Sequence, residues 1–215
     1  IIITPLFALS QQNRTLSHYY NNLSIINPSA ITMVEDAELK INLRNQWRGF
    51  SENKSFNAGS VTFNKFLKEK SYIGFEINSD NSGNLTNSSL LFKYGHLVEL
   101  SAESKIGFGL SGGMTNIFIN EISIFDAGTI INDQSWVPNA KFGFSFFNNS
   151  GLYFGSSISG LIDQDFELTS STENIFDQQL NTVIRLSKEI SPDVVIQPSI
   201  LHKKALGNSS GQIDG

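Results

Sequence analysis

Residues able to do chemistry are few in this chain, and their spacing argues against most uses. Gly107-Phe108-Gly109-Leu110-Ser111-Gly112 has the glycine spacing of a dinucleotide loop, where bare backbone lets a pyrophosphate approach a helix N-terminus. That chemistry needs a helix after the glycines, whereas Met114-Thr115-Asn116-Ile117-Phe118-Ile119 continues an alternating strand. The glycines are read instead as thinning one wall of a sheet where a plug or a neighbouring side chain comes close. His18, His96 and His202 share no ligand spacing. Asp163, Asp165 and Glu167 alternate like Ca²⁺ ligands, but without the glycine and closing Glu of an EF-type loop they read as a solvated acidic loop. Ser157 and Ser159 lack the strand-to-helix elbow that activates a serine. With no cysteine, thiolate nucleophiles, thiolate metal sites and disulfides are excluded. The expectation is a non-enzymatic protein with no catalytic residues, no cofactor and no metal.

The elements that carry these residues are strands. Between Ser104 and Ile119, Ile106, Phe108, Leu110, Gly112 and Met114 form one column, and Lys105, Gly107, Gly109, Ser111, Gly113 and Thr115 form the other. A period of two with an apolar and a small or polar face marks a strand between unlike media. Leu39, Ile41, Leu43 and Trp47 oppose Lys40, Asn42, Arg44, Gln46 and Arg48 in the same way. Further strands are predicted near Ala58–Phe66, Tyr72–Asn78, Ser89–Val98, Ala140–Phe147, Leu152–Gly160, Leu180–Glu189 and Val194–Lys203. Long and short connections alternate along the series, with short turns after Phe66, Val98, Phe147 and Glu189. That order predicts an all-β, antiparallel up-and-down transmembrane β-barrel of the outer-membrane type; a Greek-key sandwich would scramble it. Phe66 and Tyr72, and Phe147, Tyr153 and Phe154, flank short turns and are expected in an aromatic girdle. Alternation places Lys40, Arg44, Lys93, Lys105, Lys141 and Arg185 on the inner face, with Glu76 as the clearest acid there. Gly109 and Ser145 are expected to face a wet lumen. Acidic outer loops, or another acidic segment, are expected to fold onto this basic wall, because buried cations require partners.

Composition supports this reading. The charged fraction is 16%, low against the roughly 25% of soluble domains, and 17 Phe and 17 Gly suit aromatic strands joined by turns. A net charge of -5 argues against a nucleic-acid partner. No run reaches the roughly 18 apolar residues of a membrane helix, so a spanning structure must be a barrel. Ile1 to Ser10 ends in Ala8-Leu9-Ser10 and reads as the remnant of a secretory signal peptide. Residues 11–35 are irregular and read as a periplasmic N-terminal segment; 36–215 is the barrel domain. The missing starting Met and the stop at Gly215 read as signs of a fragment of about nine strands.

Several blocks resemble the PorP/SprF family. Ser17-His18-Tyr19-Tyr20-Asn21-Asn22 with Ile26-Asn27-Pro28-Ser29-Ala30 is similar to the start of those proteins, and Arg44-Asn45-Gln46-Trp47-Arg48-Gly49-Phe50 resembles their Arg-x-Gln-Trp block. His18 stands in place of an expected Gln, and Ile31 in place of the usual continuation after Asn-Pro. The family positions are thus Asn27, Pro28, Arg44, Gln46, Trp47, Gly49 and Phe50. The resemblance implies an outer-membrane component of the type IX secretion and gliding machinery of Bacteroidetes. It would assist export or surface anchoring of cargo. Its implied partners are outer-membrane lipid, other type IX components and the C-terminal domains of secreted cargo. A diffusion porin or a transporter of hydrophobic solutes is the alternative on the same architecture.

Overall fold

The computed structural model describes residues 19–46, 56–82, 85–119, 133–162, 165–168, 171–174, 178–206 and 211–214. The expected signal remnant, Trp47, Gly49, Phe50, Asp126 and Asp163 lie outside them.

The main sheet is built from β1 (Ala37–Gln46), β2 (Phe56–Phe66), β3 (Ser71–Ser82), β4 (Leu85–Glu99), β5 (Ser104–Ile119), β6 (Asp133–Asn148) and β7 (Leu152–Ser159). After them come the hairpin of β8 (Asp165–Leu168) and β9 (Ser171–Asn174), then β10 (Gln179–Leu186). A second hairpin, β11 (Lys188–Ser191) and β12 (Val194–Ile196), precedes β13 (Ser199–Ala205) and β14 (Gly211–Asp214). Ten strands pair in the order β1-β2-β3-β4-β5-β6-β7-β10-β13-β14, every pair antiparallel, and the two hairpins stand outside that sheet. The order is up-and-down without a crossover, and β1 does not pair with β14, so the sheet is not closed.

Its two faces are inverted relative to a protein that hides hydrocarbon from water. On β4, Phe92 is 64% exposed and Tyr94 51%, whereas the intervening Lys93 is only 4% exposed. Leu39, Ile41 and Leu43 of β1, Leu110 and Met114 of β5, Phe142 and Phe144 of β6, and Ile200 of β13 continue the exposed apolar face. An apolar surface this wide is what a protein presents to another apolar medium. From Ile106 to Met114 the outward column runs about 27 Å along the strand, comparable to the ~25 Å band of a spanning barrel once tilt is allowed for.

The sheet curls around the N-terminal segment, as the contacts of two nearby residues require. Asn22 donates to Thr62 Oγ1 on β2, while Tyr19 shares a hydrogen bond with Ser199 Oγ on β13. Those strands stand seven steps apart in the sheet, about 34 Å if flat, yet three residues of chain reach roughly 10 Å. Only a closely curved sheet brings both walls to one segment.

Several expectations change here. Residues 19–33 pack on the polar face of the sheet. The expected long loop from Asn78 to Ser89 is mostly strand: β3 reaches Ser82 and β4 starts at Leu85, with Asn81 donating to Thr86 Oγ1 at 2.9 Å. Its polar residues hydrogen-bond across the ladder, so they lack the alternation that marks a strand facing hydrocarbon. β6 likewise begins at Asp133 rather than Ala140. The turn expected at Glu189–Val194 is the tip of β11–β12, which leaves the main sheet after Leu186. The expected count of about nine strands holds for β1 to β7, β10 and β13, and the short β14 adds one more at the edge of the main sheet.

Candidate functional site

The N-terminal segment consists of a 3-10 turn at Tyr19–Asn21, a single α-helical turn α1 (Leu23–Ile26) and a 3-10 helix at Pro28–Met33. Asn27 joins the last two. Its Oδ1 accepts from the Ser29 backbone N–H at 3.0 Å and from Ser29 Oγ at 2.7 Å, capping the turn that Pro28 opens. Its Nδ2 donates to the Phe144 carbonyl at 2.9 Å and lies 3.3 Å from Tyr153 Oη, which ties the cap to β6 and β7.

The wall beneath is made of glycine where the segment's backbone comes closest. Gly95, Gly109 and Gly143 are direct cross-strand neighbours on β4, β5 and β6, and Gly107 and Gly155 flank Ser145 in the next row. A Cβ on Gly109 would collide with the Ser29 nitrogen and the Pro28 carbonyl carbon; one on Gly143 would meet Asn27 Oδ1, and one on Gly107 Thr32 Oγ1. Bare backbone is therefore what admits the segment. This overturns the wet-lumen expectation for Gly109 and Ser145, since the segment covers both, and Ser145 is fully buried.

Next to the glycines sits an ion cluster around a fully buried carboxylate. Glu76 of β3 places Oε2 2.6 Å from Lys93 Nζ of β4 and Oε1 3.2 Å from Lys141 Nζ of β6, and Asn78 Nδ2 donates to Oε1 at 2.6 Å. Both lysines also hold the segment. Lys93 Nζ donates to the Ser24 carbonyl at 2.8 Å, Lys141 Nζ to the Ile25 carbonyl at 3.0 Å, and Ser157 Oγ to the Ile26 carbonyl at 2.8 Å. The last carbonyls of α1 have no further helical turn to bond to, and they carry the negative end of its dipoles, so cations suit them.

An apolar seal lies nearer the short turns. Tyr19, Leu23 and Ala30 pack with Tyr153, Val183 and Leu201, and Ile31 packs with Tyr72 and Leu97. Tyr72 and Tyr153, expected in an outward girdle, instead point inward and are 6% and 1% exposed. The segment supplies apolar partners there, so inward aromatics gain burial that lipid would only have matched.

The other cations expected on the inner wall stand outside that cluster. Lys40 pairs with Glu38 of its own strand at 2.6 Å, and Arg185 lies over the Tyr153 ring at 5.4 Å. Lys105 is half-buried in the same cross-strand row as Phe147, Tyr153 and Arg185. Arg44 is half-buried on β1 opposite Ala58. The structure thus brings Lys93 and Lys141 together on Glu76 and leaves Lys40, Arg44, Lys105 and Arg185 apart. The partner expected of the basic wall was an acidic segment. The one observed, residues 19–33, carries no acidic or basic side chain. Sequence reasoning missed it because single helical turns leave no period; the readable signal was Asn27-Pro28-Ser29, a capping unit, set against a column of glycines.

A curved antiparallel sheet with hydrocarbon outside and a filled polar interior defines an all-β, barrel-like membrane protein. The model of the family described as type IX secretion system membrane protein PorP/SprF matches residues 8–214, and the chain belongs to that family. No curated protein and no solved structure gave a match.

Proposed function

We propose that this protein is a multi-pass barrel of the bacterial outer membrane that serves the type IX secretion and gliding machinery as a non-enzymatic scaffold. In this reading it assists the export or surface anchoring of cargo proteins and meets other secretion components and cargo C-terminal domains at its ends. The carrying observation is the occupied interior. A diffusion porin or solute transporter works through an open path, whereas here Tyr19–Met33 is bonded to walls from β2 to β13. Membership of a type IX secretion membrane family supports the same reading. Co-purification from native outer membrane after mild crosslinking tests it. Secretion components and a cargo C-terminal domain should be recovered with the protein; recovery of lipid alone, with stable anion-selective channels in planar bilayers, would replace the scaffold with a pore.

A further inference from the structure

The seat of the N-terminal segment has a charge and a hydroxyl that its present occupant does not use. Lys93 and Lys141 share the single carboxylate of Glu76, and among the described residues no other carboxylate lies within ion-pair distance of either. Glu38, the next acid along the wall, is held by Lys40. The segment answers the surplus positive charge only with neutral acceptors, the carbonyls of Ser24 and Ile25 and the Ser24 hydroxyl. Between the two lysines stands Ser111, paired in register with Lys93 on one side and Lys141 on the other. Its hydroxyl is buried, with the residue 1% exposed, and makes no hydrogen bond. A buried hydroxyl without a partner is a cost that folded proteins seldom leave standing.

We propose that this seat is a carboxylate-binding site for a second polypeptide, filled in the resting protein by the chain's own segment. Two ammonium groups and a hydroxyl, already charged against one carboxylate, are matched by one further monoanion. The ammonium groups already make charge-assisted bonds to the carbonyls; a carboxylate there would meet them with a full opposite charge where the carbonyl offers only a dipole. The occupant can leave: it belongs to no sheet ladder and has no charged side chain to strip from a partner. When it leaves, each lysine keeps Glu76. Competition from the tethered segment lowers the apparent affinity by the fraction of time that the seat is open. The site rests on the wall's geometry and not on the export reading, so failure of one leaves the other standing.

The test uses the whole protein in outer-membrane vesicles, with Ser29→Cys as the sole cysteine and its labelling rate by a soluble maleimide as the readout. Three short neutral peptides are added: one with a free C-terminal carboxylate, one amidated with a single internal Asp, and one amidated with Asn in place of that Asp. A carboxylate peptide should raise the rate about tenfold, the scale of one carbonyl exchanged for a carboxylate. Response to the first alone assigns a chain terminus, to the second alone an acidic side chain, and to both any carboxylate. Lys141→Gln should abolish the response. Ser111→Ala, whose hydroxyl has no partner to lose, is the second variant and should weaken it several-fold. No response to either carboxylate peptide, an equal response to the Asn peptide, or an undiminished response in both variants overturns the site.

Discussion

Replacing Glu76 by Gln removes the one charge that Lys93 and Lys141 share. With oxygens 2.6 and 3.2 Å from the two ammonium groups, the gross attraction at an effective dielectric near 20 is roughly 12 kcal/mol. Desolvation of three ions and repulsion between the lysines offset most of it. What stays measurable is the cost of stranding a buried charge, about 3–5 kcal/mol when one partner is removed. Gln keeps an acceptor for one lysine, and the Lys141 side chain is 13% exposed, so the lower end applies, about 3 kcal/mol. The double variant Glu76→Gln, Lys93→Gln removes one stranded cation and leaves Lys141 its bond to the Ile25 carbonyl; it should recover about half of that loss. Urea unfolding in lipid vesicles, followed by tryptophan fluorescence and by mobility shift on gels, measures both. A loss under about 0.5 kcal/mol for the single variant, the scale of an exposed pair, or a double variant no better than the single, would refute a dry, charge-coupled wall.

Other outcomes follow from the same contacts. Gly109→Ala should unseat the segment and cost about 1–3 kcal/mol, while Gly112→Ala, whose Cβ would meet nothing within 4 Å, should be neutral; the pair is compared by the same unfolding assay. Asn27→Ala removes the bond to the Phe144 carbonyl and the cap on Ser29 and should cost about 1–3 kcal/mol, read as a lower urea midpoint. Phe108→Arg or Phe144→Arg, on the exposed face of β5 and β6, should cost about 2–4 kcal/mol if that face meets lipid at mid-depth. Cysteines at Asp126 and Asp163 should label from outside intact cells, and those at Lys68 and Ser150 should not; the reverse pattern would invert the orientation.

What the sequence disclosed was set by which medium each residue meets. On β4 and β5 one column is apolar and exposed and the other faces a polar interior, so alternation is sharp, and Glu76 could be singled out among the inner cations. The stretch Asn78–Ser89 was illegible because both its faces are polar, and a hydrogen-bonded polar strand looks like a loop to a hydropathy reading. Tyr72 and Tyr153 were placed at the right end of the barrel but on the wrong face, since an aromatic beside a turn serves a lipid girdle or an inward seal equally well by spacing. The segment at 19–33 was hidden for a different reason: its order comes from the walls around it, through Lys93, Lys141, Ser157 and Phe144, and not from its own periodicity.

The neutrality of that segment is the feature that links the wall to a role. An acidic residue in place of Ser24 or Ile25 would meet Lys93 and Lys141 directly and fix the segment by ion pairs, which in a buried setting are costly to break. The observed chain instead offers neutral groups alone: backbone carbonyls, a capping Asn, the side-chain hydrogen bonds of Tyr19, Asn22 and Ser24, and the buried apolar side chains of Leu23, Ala30 and Ile31. A barrel meant only to be sealed gains nothing from this restraint. One that must exchange its own segment for part of another polypeptide needs a plug that binds the wall well enough to exclude water and poorly enough to yield to an anion.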